Sequence, residues 1–273
     1  MITTKRANLT TRAEPLDRGL GLPRRLPTSA QWATVAGPLG VIVLWLGWSW
    51  LANGYPAYIL PSPALVAARF WAALADGTLA RHTQATTVEA LLGFGLGFAV
   101  AALLGYVIGK SAALERLLAP YIVASQSVPM VALAPLLVLW FGHGLVSKVI
   151  VCALVVFFPI LVNIVVALRS VDTESRELMR SLNASPWQVF TKLELPASLP
   201  ILFGGLRMGV TLSVIGAVVG EFVGGDTGLG ALVNLARGLY DTPLMFVALL
   251  SLMALAMTFY LLVTLVERIL TRP

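Results

Sequence analysis

Gly105 to Ser111 reads GYVIGKS, and a Gly-Lys-Ser ending of this kind can cradle nucleotide phosphates with backbone N–H groups and a lysine. A phosphate loop needs four residues between its glycines, a strand before it and a helix after it. Here three residues intervene and the segment closes an apolar run, so it is not a nucleotide site. His82 and His143 fall in expected outer loops, with no Ser/His/Asp set and no metal spacing around them. Cys152 is the single cysteine and lies in an apolar run, where it has no disulfide or metal partner. No catalytic residue, cofactor or metal is expected, and the chain is not an enzyme on its own.

The remaining chemistry is charge in apolar surroundings: Glu89, Arg207 and Glu221. Such groups cost about 3 kcal/mol at mid-bilayer on insertion scales, and they usually face protein or water. All three lie near expected span ends. Two readings follow for the acids. They snorkel or pair at the interface, or Glu89 and Glu221, both towards the outside, belong to the mouth of a pathway.

The elements that hold these residues follow from composition. Of 273 residues 58% are hydrophobic and 12% charged, with mean hydropathy +0.86, so the solvent is lipid. A span takes about 20 mostly apolar residues. Six stretches come close: Ala33–Leu51, Ala90–Gly109, Leu117–Phe141, Val149–Leu168, Ile201–Gly224 and Pro243–Val266. In lipid these must be helices, and nothing alternates as barrel strands would, so the expected fold is an all-α membrane bundle. Residues 1–30 form an N-terminal tail and residues 31–273 the membrane domain.

An even number of spans puts both ends on one side. With both inside, of the 19 basic residues only Arg69, Arg81, Lys148 and Arg237 stay outside, in keeping with the positive-inside rule. The net charge of +6 thus reports topology and is no sign of nucleic-acid binding, although the basic tail could touch anionic lipid. The tail is not a signal peptide, because the apolar run starts only after it and no small-residue cleavage site follows. Glu14 and Asp17 weigh against a transit peptide and leave a cytoplasmic tail.

Between the first two spans, Pro61 and Pro63 frame a turn, and Ala64–Leu74 reads as a short amphipathic helix at the outer interface; the alternative is a re-entrant piece. Gly93, Gly97, Ala101, Gly105 and Gly109 line one face of the second span and invite close approach of another helix. Pro120, Pro129 and Pro135 predict a kinked or broken third span, a candidate to line a pathway. A tight turn over Phe141–Gly144 returns the chain on the outer side.

The most informative stretch is 172–200, a charged amphipathic insert of 29 residues between two apolar runs. It reads as helix, turn, helix. Asp172 caps the first helix, with Glu174 and Glu177 in its early turns. Leu178 and Leu182, four apart, share a face. Asn183 supplies the left-handed residue that a helix end wants. Ser185, Pro186 and Gln188 start the second helix as a capping box with proline at its first position. Pro196 and Pro200 are expected to stop it before the fifth span.

This segment resembles the "EAA" loop of ABC importer permeases, whose pattern is Glu-Ala-Ala, three residues, Gly, nine residues, Ile, one residue, Leu-Pro. Glu177 matches the Glu and Leu195-Pro196 the Leu-Pro. Leu178 and Met179 replace the alanines, Asn183 the Gly and Leu193 the Ile. LPSPALV, LLGFGLGFAVAALLG, VPMVALAPLLVLWFGHG, FFPILVN and GLRMGVTLSVIGAVVGEFVGGDTGLG resemble permeases of the nitrate/sulfonate/taurine family, which also includes thiamine-pyrimidine precursor and riboflavin permeases. The likeness runs from about Leu60 to Glu267.

The resemblance implies a type I ABC importer permease fold in the inner membrane. It also implies a second permease subunit, as a homodimer, two cytoplasmic ABC ATPase subunits and an extracytoplasmic solute-binding protein. Glu177, Leu178, Leu182, Asn183 and Trp187 are then the ATPase-coupling set, unless the apolar face of the insert merely packs under its own bundle. Glu89, Pro129 and Glu221 are the candidates for pathway or outer mouth. On resemblance, TTVEALLGF, VVGEFVGG and DTPLMFVALL favour a riboflavin or thiamine-pyrimidine substrate over an aliphatic sulfonate, taurine or nitrate. Acids at an outer mouth would also repel those anions unless paired. A stand-alone secondary transporter is the more distant alternative; it would tend to show an internal repeat or a buried charged relay, and neither is visible.

Overall fold

The computed structural model describes residue 40, residues 42–43 and residues 45–271. The tail over residues 1–30 and most of the expected first span, Ala33–Leu51, lie outside the described residues; residues 45–52 are helical. Among the described residues there is no strand. Residues 48–271 lie in one compact unit.

Helix α1 (Pro63–Ala75) is the short amphipathic helix expected from the sequence. The Ser62 hydroxyl caps it by accepting the Leu65 N–H, Pro63 starts it, Val66 and Ala73 are buried, and Leu65, Trp71 and Leu74 are exposed. Helix α2 (Thr78–Lys110) begins twelve residues ahead of the expected Ala90. Its early turns carry Arg81, His82, Gln84, Thr86 and Glu89, which hide the helix from a hydropathy reading. At 33 residues it is about 50 Å long, against roughly 30 Å of hydrocarbon, so part of it projects beyond the lipid core.

The expected third span is broken. Helices α3 (Ala112–Gln126) and α4 (Met130–Phe141) meet at 89° across Ser127–Pro129. Pro120 and Pro135 are absorbed inside the two helices, and Pro129 sits at the cap position of α4. Helix α5 (Leu145–Arg169) returns the chain. After the insert come α8 (Leu195–Gly224), a short α9 (Leu229–Gly238) that the sequence reading did not anticipate, and α10 (Thr242–Leu270). Among the described residues four helices are long and apolar enough to cross a membrane, and the α3–α4 pair is a fifth if it is one bent span.

Helix α5 is the centre of the bundle, held between α2 and α8. The glycine face of α2 meets it as expected: a Cβ added at Gly97 would lie 2.7 Å from the Ala153 carbonyl oxygen, and one at Gly105 would lie 2.8 Å from the Ile164 side chain. A second such face, on α8, was not recognised in the sequence. Gly205, Gly209, Gly216 and Gly220 approach Asn163, Ile160, Cys152 and Lys148 of α5. Small residues at these contacts let backbones come close where lipid offers no hydrophobic drive to pack helices. Cys152 sits between the two faces, buried, its thiol 3.2 Å from the Ser213 carbonyl oxygen.

Candidate functional site

The insert lies at the end of the bundle where α2 and α5 finish and α8 begins. Asp172 caps α6 (Thr173–Ser181): its carboxylate accepts the Ser175 N–H at 3.0 Å, and that backbone bond holds its carboxyl below the ordinary aspartate value. The helix closes with Asn183 at φ +52°, left-handed as the sequence predicts. The Asn183 N–H donates to the Arg180 carbonyl at 3.0 Å and the Ala184 N–H to the Met179 carbonyl at 3.0 Å, the bond pair of a Schellman end. Helix α7 (Pro186–Val189) opens with the expected capping box, Ser185 and Gln188 bonding each other's backbone N–H groups.

The expectation that Pro196 and Pro200 stop this helix is wrong. The chain stays helical from Pro186 to Gly224. A π turn over Phe190–Glu194 widens the register, with the Leu195 N–H reaching back to the Phe190 carbonyl. Pro196 then enters as the second residue of α8, where a missing N–H costs little. The insert and the fifth span are therefore one continuous, locally unwound element.

Leu178, Leu182 and Trp187 are 60%, 67% and 71% exposed, and Glu177 and Asn183 are exposed beside them. The apolar side of α6 is not packed under its own bundle. What anchors the insert is polar. The Glu194 carboxylate, fully buried, accepts from Lys110 Nζ at 2.6 Å and pairs with an Arg176 guanidinium nitrogen at 3.2 Å. Arg176 also donates to the Leu168 carbonyl at 2.6 Å. Nothing in the sequence gives these three residues a joint role. Charges 84 and 18 residues apart leave no local pattern to find.

The opposite end of the bundle holds a second polar cluster. Lys148 was expected in an outer loop. It stands instead in the first turn of α5, 4% exposed, its Nζ 2.7 Å from Glu89 Oε1 and 3.1 Å from the Thr227 carbonyl oxygen. Glu221 accepts from the Thr86 hydroxyl at 2.6 Å and from the Gly230 N–H, and the Thr86 oxygen accepts the Leu229 N–H at 2.7 Å. His82, also expected in a loop, is buried in α2 with Nδ1 2.7 Å from the Gly228 carbonyl oxygen. These bonds fix the glycine-rich turn between α8 and α9.

Glu89 and Glu221 thus lie in one buried cluster, where Glu89 pairs with Lys148 and neither acid snorkels. They are used differently. Glu89 and Lys148 border a cavity of about 570 Å³ with Arg81, Gln84, His143 and Asp226, whereas Glu221 lies beneath the turn and does not line it. Pro129 is exposed at the α3–α4 break and is not part of that cavity.

Residues 93–272 match the family model of the binding-protein-dependent transport system inner membrane component. A riboflavin transport system permease protein, RibX, of Chloroflexus aurantiacus is 51% identical over 89% of this chain and 91% of its own length. The formylaminopyrimidine transport permease protein ThiX of Halalkalibacterium halodurans is 38% identical over 72% of this chain and 80% of its own. A putative aliphatic sulfonates transport permease protein, SsuC, of Bacillus subtilis is 32% identical over 85% and 79%. Among solved structures, the inward-facing MetNI methionine ABC transporter aligns with TM-score 0.64 at 22% identity, over 71% of this chain and 96% of that one. At that identity the likeness speaks for the fold.

Proposed function

The chain belongs to the binding-protein-dependent transport system inner membrane component family, and on that premise we propose that the solute it passes is a heteroaromatic vitamin or vitamin precursor, riboflavin first. The coarser function is established by membership: this is a multi-pass inner-membrane permease subunit of an ABC importer, which works with a separate ATPase and a solute-binding protein and is not itself an enzyme. The observation that carries the substrate is the 51% identity to the riboflavin permease over nearly the whole chain, against 32% to the sulfonate permease. The Coulomb argument against anions loses its premise, because Glu89 is paired with Lys148. The ranking of relatives therefore supports the vitamin without it.

In this reading Glu177, Leu178, Leu182, Asn183 and Trp187 form the surface that docks on the ATPase. Its support is the exposure of the three apolar side chains on a pre-shaped, doubly capped turn. A few central apolar residues commonly dominate such interfaces. A second copy of the chain pairs with the first, and both termini lie in the cytoplasm, as the basic residues suggest. The broken α3–α4 pair and the cavity beside Glu89 border the path, with Pro129 at the break and Glu221 holding the turn that roofs the Glu89 cluster.

Uptake into proteoliposomes holding the complex and its binding protein tests the substrate. Labelled riboflavin should accumulate on internal ATP and be displaced by excess unlabelled riboflavin but not by taurine. Accumulation of taurine with no uptake of riboflavin would replace the vitamin by a sulfonate.

A further inference from the structure

Four segments converge on one carboxylate at the root of the insert. Glu194 ends the π turn with its side chain fully buried. Lys110, the last residue of α2, and Arg176, in the second turn of α6, both bond its Oε1, and Arg176 ties in the last turn of α5 through the Leu168 carbonyl. An aromatic chain runs alongside. Lys110 Nζ lies 5.3 Å from the centre of the Tyr106 ring, Tyr106 meets Phe190 edge to face at 5.4 Å, and Phe190 tilts against the exposed Trp187 at 5.8 Å.

A π turn is a weak place in a helix, since its wider register gives up regular bonding. Left alone, a bend at Phe190–Glu194 would let the insert pivot without moving the spans. A buried carboxylate held by two cations from other segments opposes that pivot, because displacing either cation leaves charge unpaired away from water. Glu194 Oε2 has no donor, so the whole tie runs through a single oxygen. Such a joint resists separation while still permitting rotation about that oxygen.

We propose that the Lys110–Glu194–Arg176 joint is the transmission of the importer: it makes α2 and α8 follow the insert when the ATPase pulls on it. This rests on the reading of Leu178 and Leu182 as the docking surface. Glu194 and Lys110 are positioning residues. They lie at the root of the insert, apart from the exposed Leu178 and Leu182 side chains, and removing the joint should separate docking from transport.

The test uses the assembled importer in proteoliposomes with Lys110→Met, Lys110→Arg, Glu194→Gln and Leu182→Arg permeases. Bound ATPase, permease melting temperature, and the ratio of ATP hydrolysis with and without loaded binding protein are read for each. Lys110→Met and Glu194→Gln should keep the ATPase bound while the stimulation ratio falls about tenfold, and Lys110→Arg should restore most of it. A stimulation ratio left unchanged in both neutral variants overturns the joint, as does a loss of ratio that only tracks lost melting temperature and lost ATPase. Lys110 is partly exposed, so Lys110→Met keeps the test alive if Glu194→Gln does not fold. Retention of ATPase by Leu182→Arg would instead sink the docking surface, a different result from failure of the joint.

Discussion

Lys148 Nζ and Glu89 Oε1 stand 2.7 Å apart with both side chains about 95% buried, joining the start of α5 to the second span from within the bundle. Taking one partner away strands the other in a medium that cannot solvate it. Lys148→Met should destabilise the permease by about 3–5 kcal/mol, seen as a large drop in melting temperature in detergent. Lys148→Met combined with Glu89→Gln should regain much of that loss. A single variant that melts like the wild type would mean the pair is not buried as described.

Glycines on one helix should behave oppositely according to what they face. A Cβ at Gly97 would press on the Ala153 backbone at 2.7 Å, whereas one at Gly95 meets nothing within 4 Å. Gly97→Ala is expected to cost about 1–3 kcal/mol through forced separation of α2 and α5, and Gly95→Ala to be neutral or slightly stabilising. Thermal melting of the two variants side by side decides this; equal effects would remove the close contact between these helices.

Asn183 closes α6 in the left-handed region without needing its side chain for a hydrogen bond on the turn. Asn183→Gly should therefore be tolerated, because glycine takes this conformation without strain. Asn183→Val should cost about 1–2 kcal/mol and loosen the docking surface. Transport lost in Asn183→Gly with normal expression would reveal a side-chain role.

Local chemistry was legible in the sequence and distant pairing was not. Asp172, Asn183, Ser185 and Gln188 announced their caps because each partner lies within five residues. The small-residue face of α2 was equally plain, since its small residues recur at every fourth position from Gly93 to Gly109, whereas the glycines of the α8 face are unevenly spaced. Hydropathy misplaced the start of α2 because His82 and Glu89 look like a loop until their partners are known. Those partners come from far along the chain, in the turn after α8 and at Lys148. Proline rules ended the second insert helix too early, because they assume regular α bonding and the π turn at Phe190–Glu194 resets it. Glu194 needed the fold itself: Lys110 and Arg176 become its neighbours only when α2, α6 and α8 are brought together.

Whether the exposed face of α6 docks on an ATPase is answered most directly with Leu182→Arg. The tagged wild-type and variant chains, extracted together with their partners in mild detergent, would be compared for the ABC ATPase identified by mass spectrometry and for ATP-driven uptake in proteoliposomes. Wild type should retain the ATPase and transport; Leu182→Arg should remain folded, at an unchanged melting temperature, and lose both. A folded Leu182→Arg that keeps the ATPase and transports normally would contradict the coupling surface.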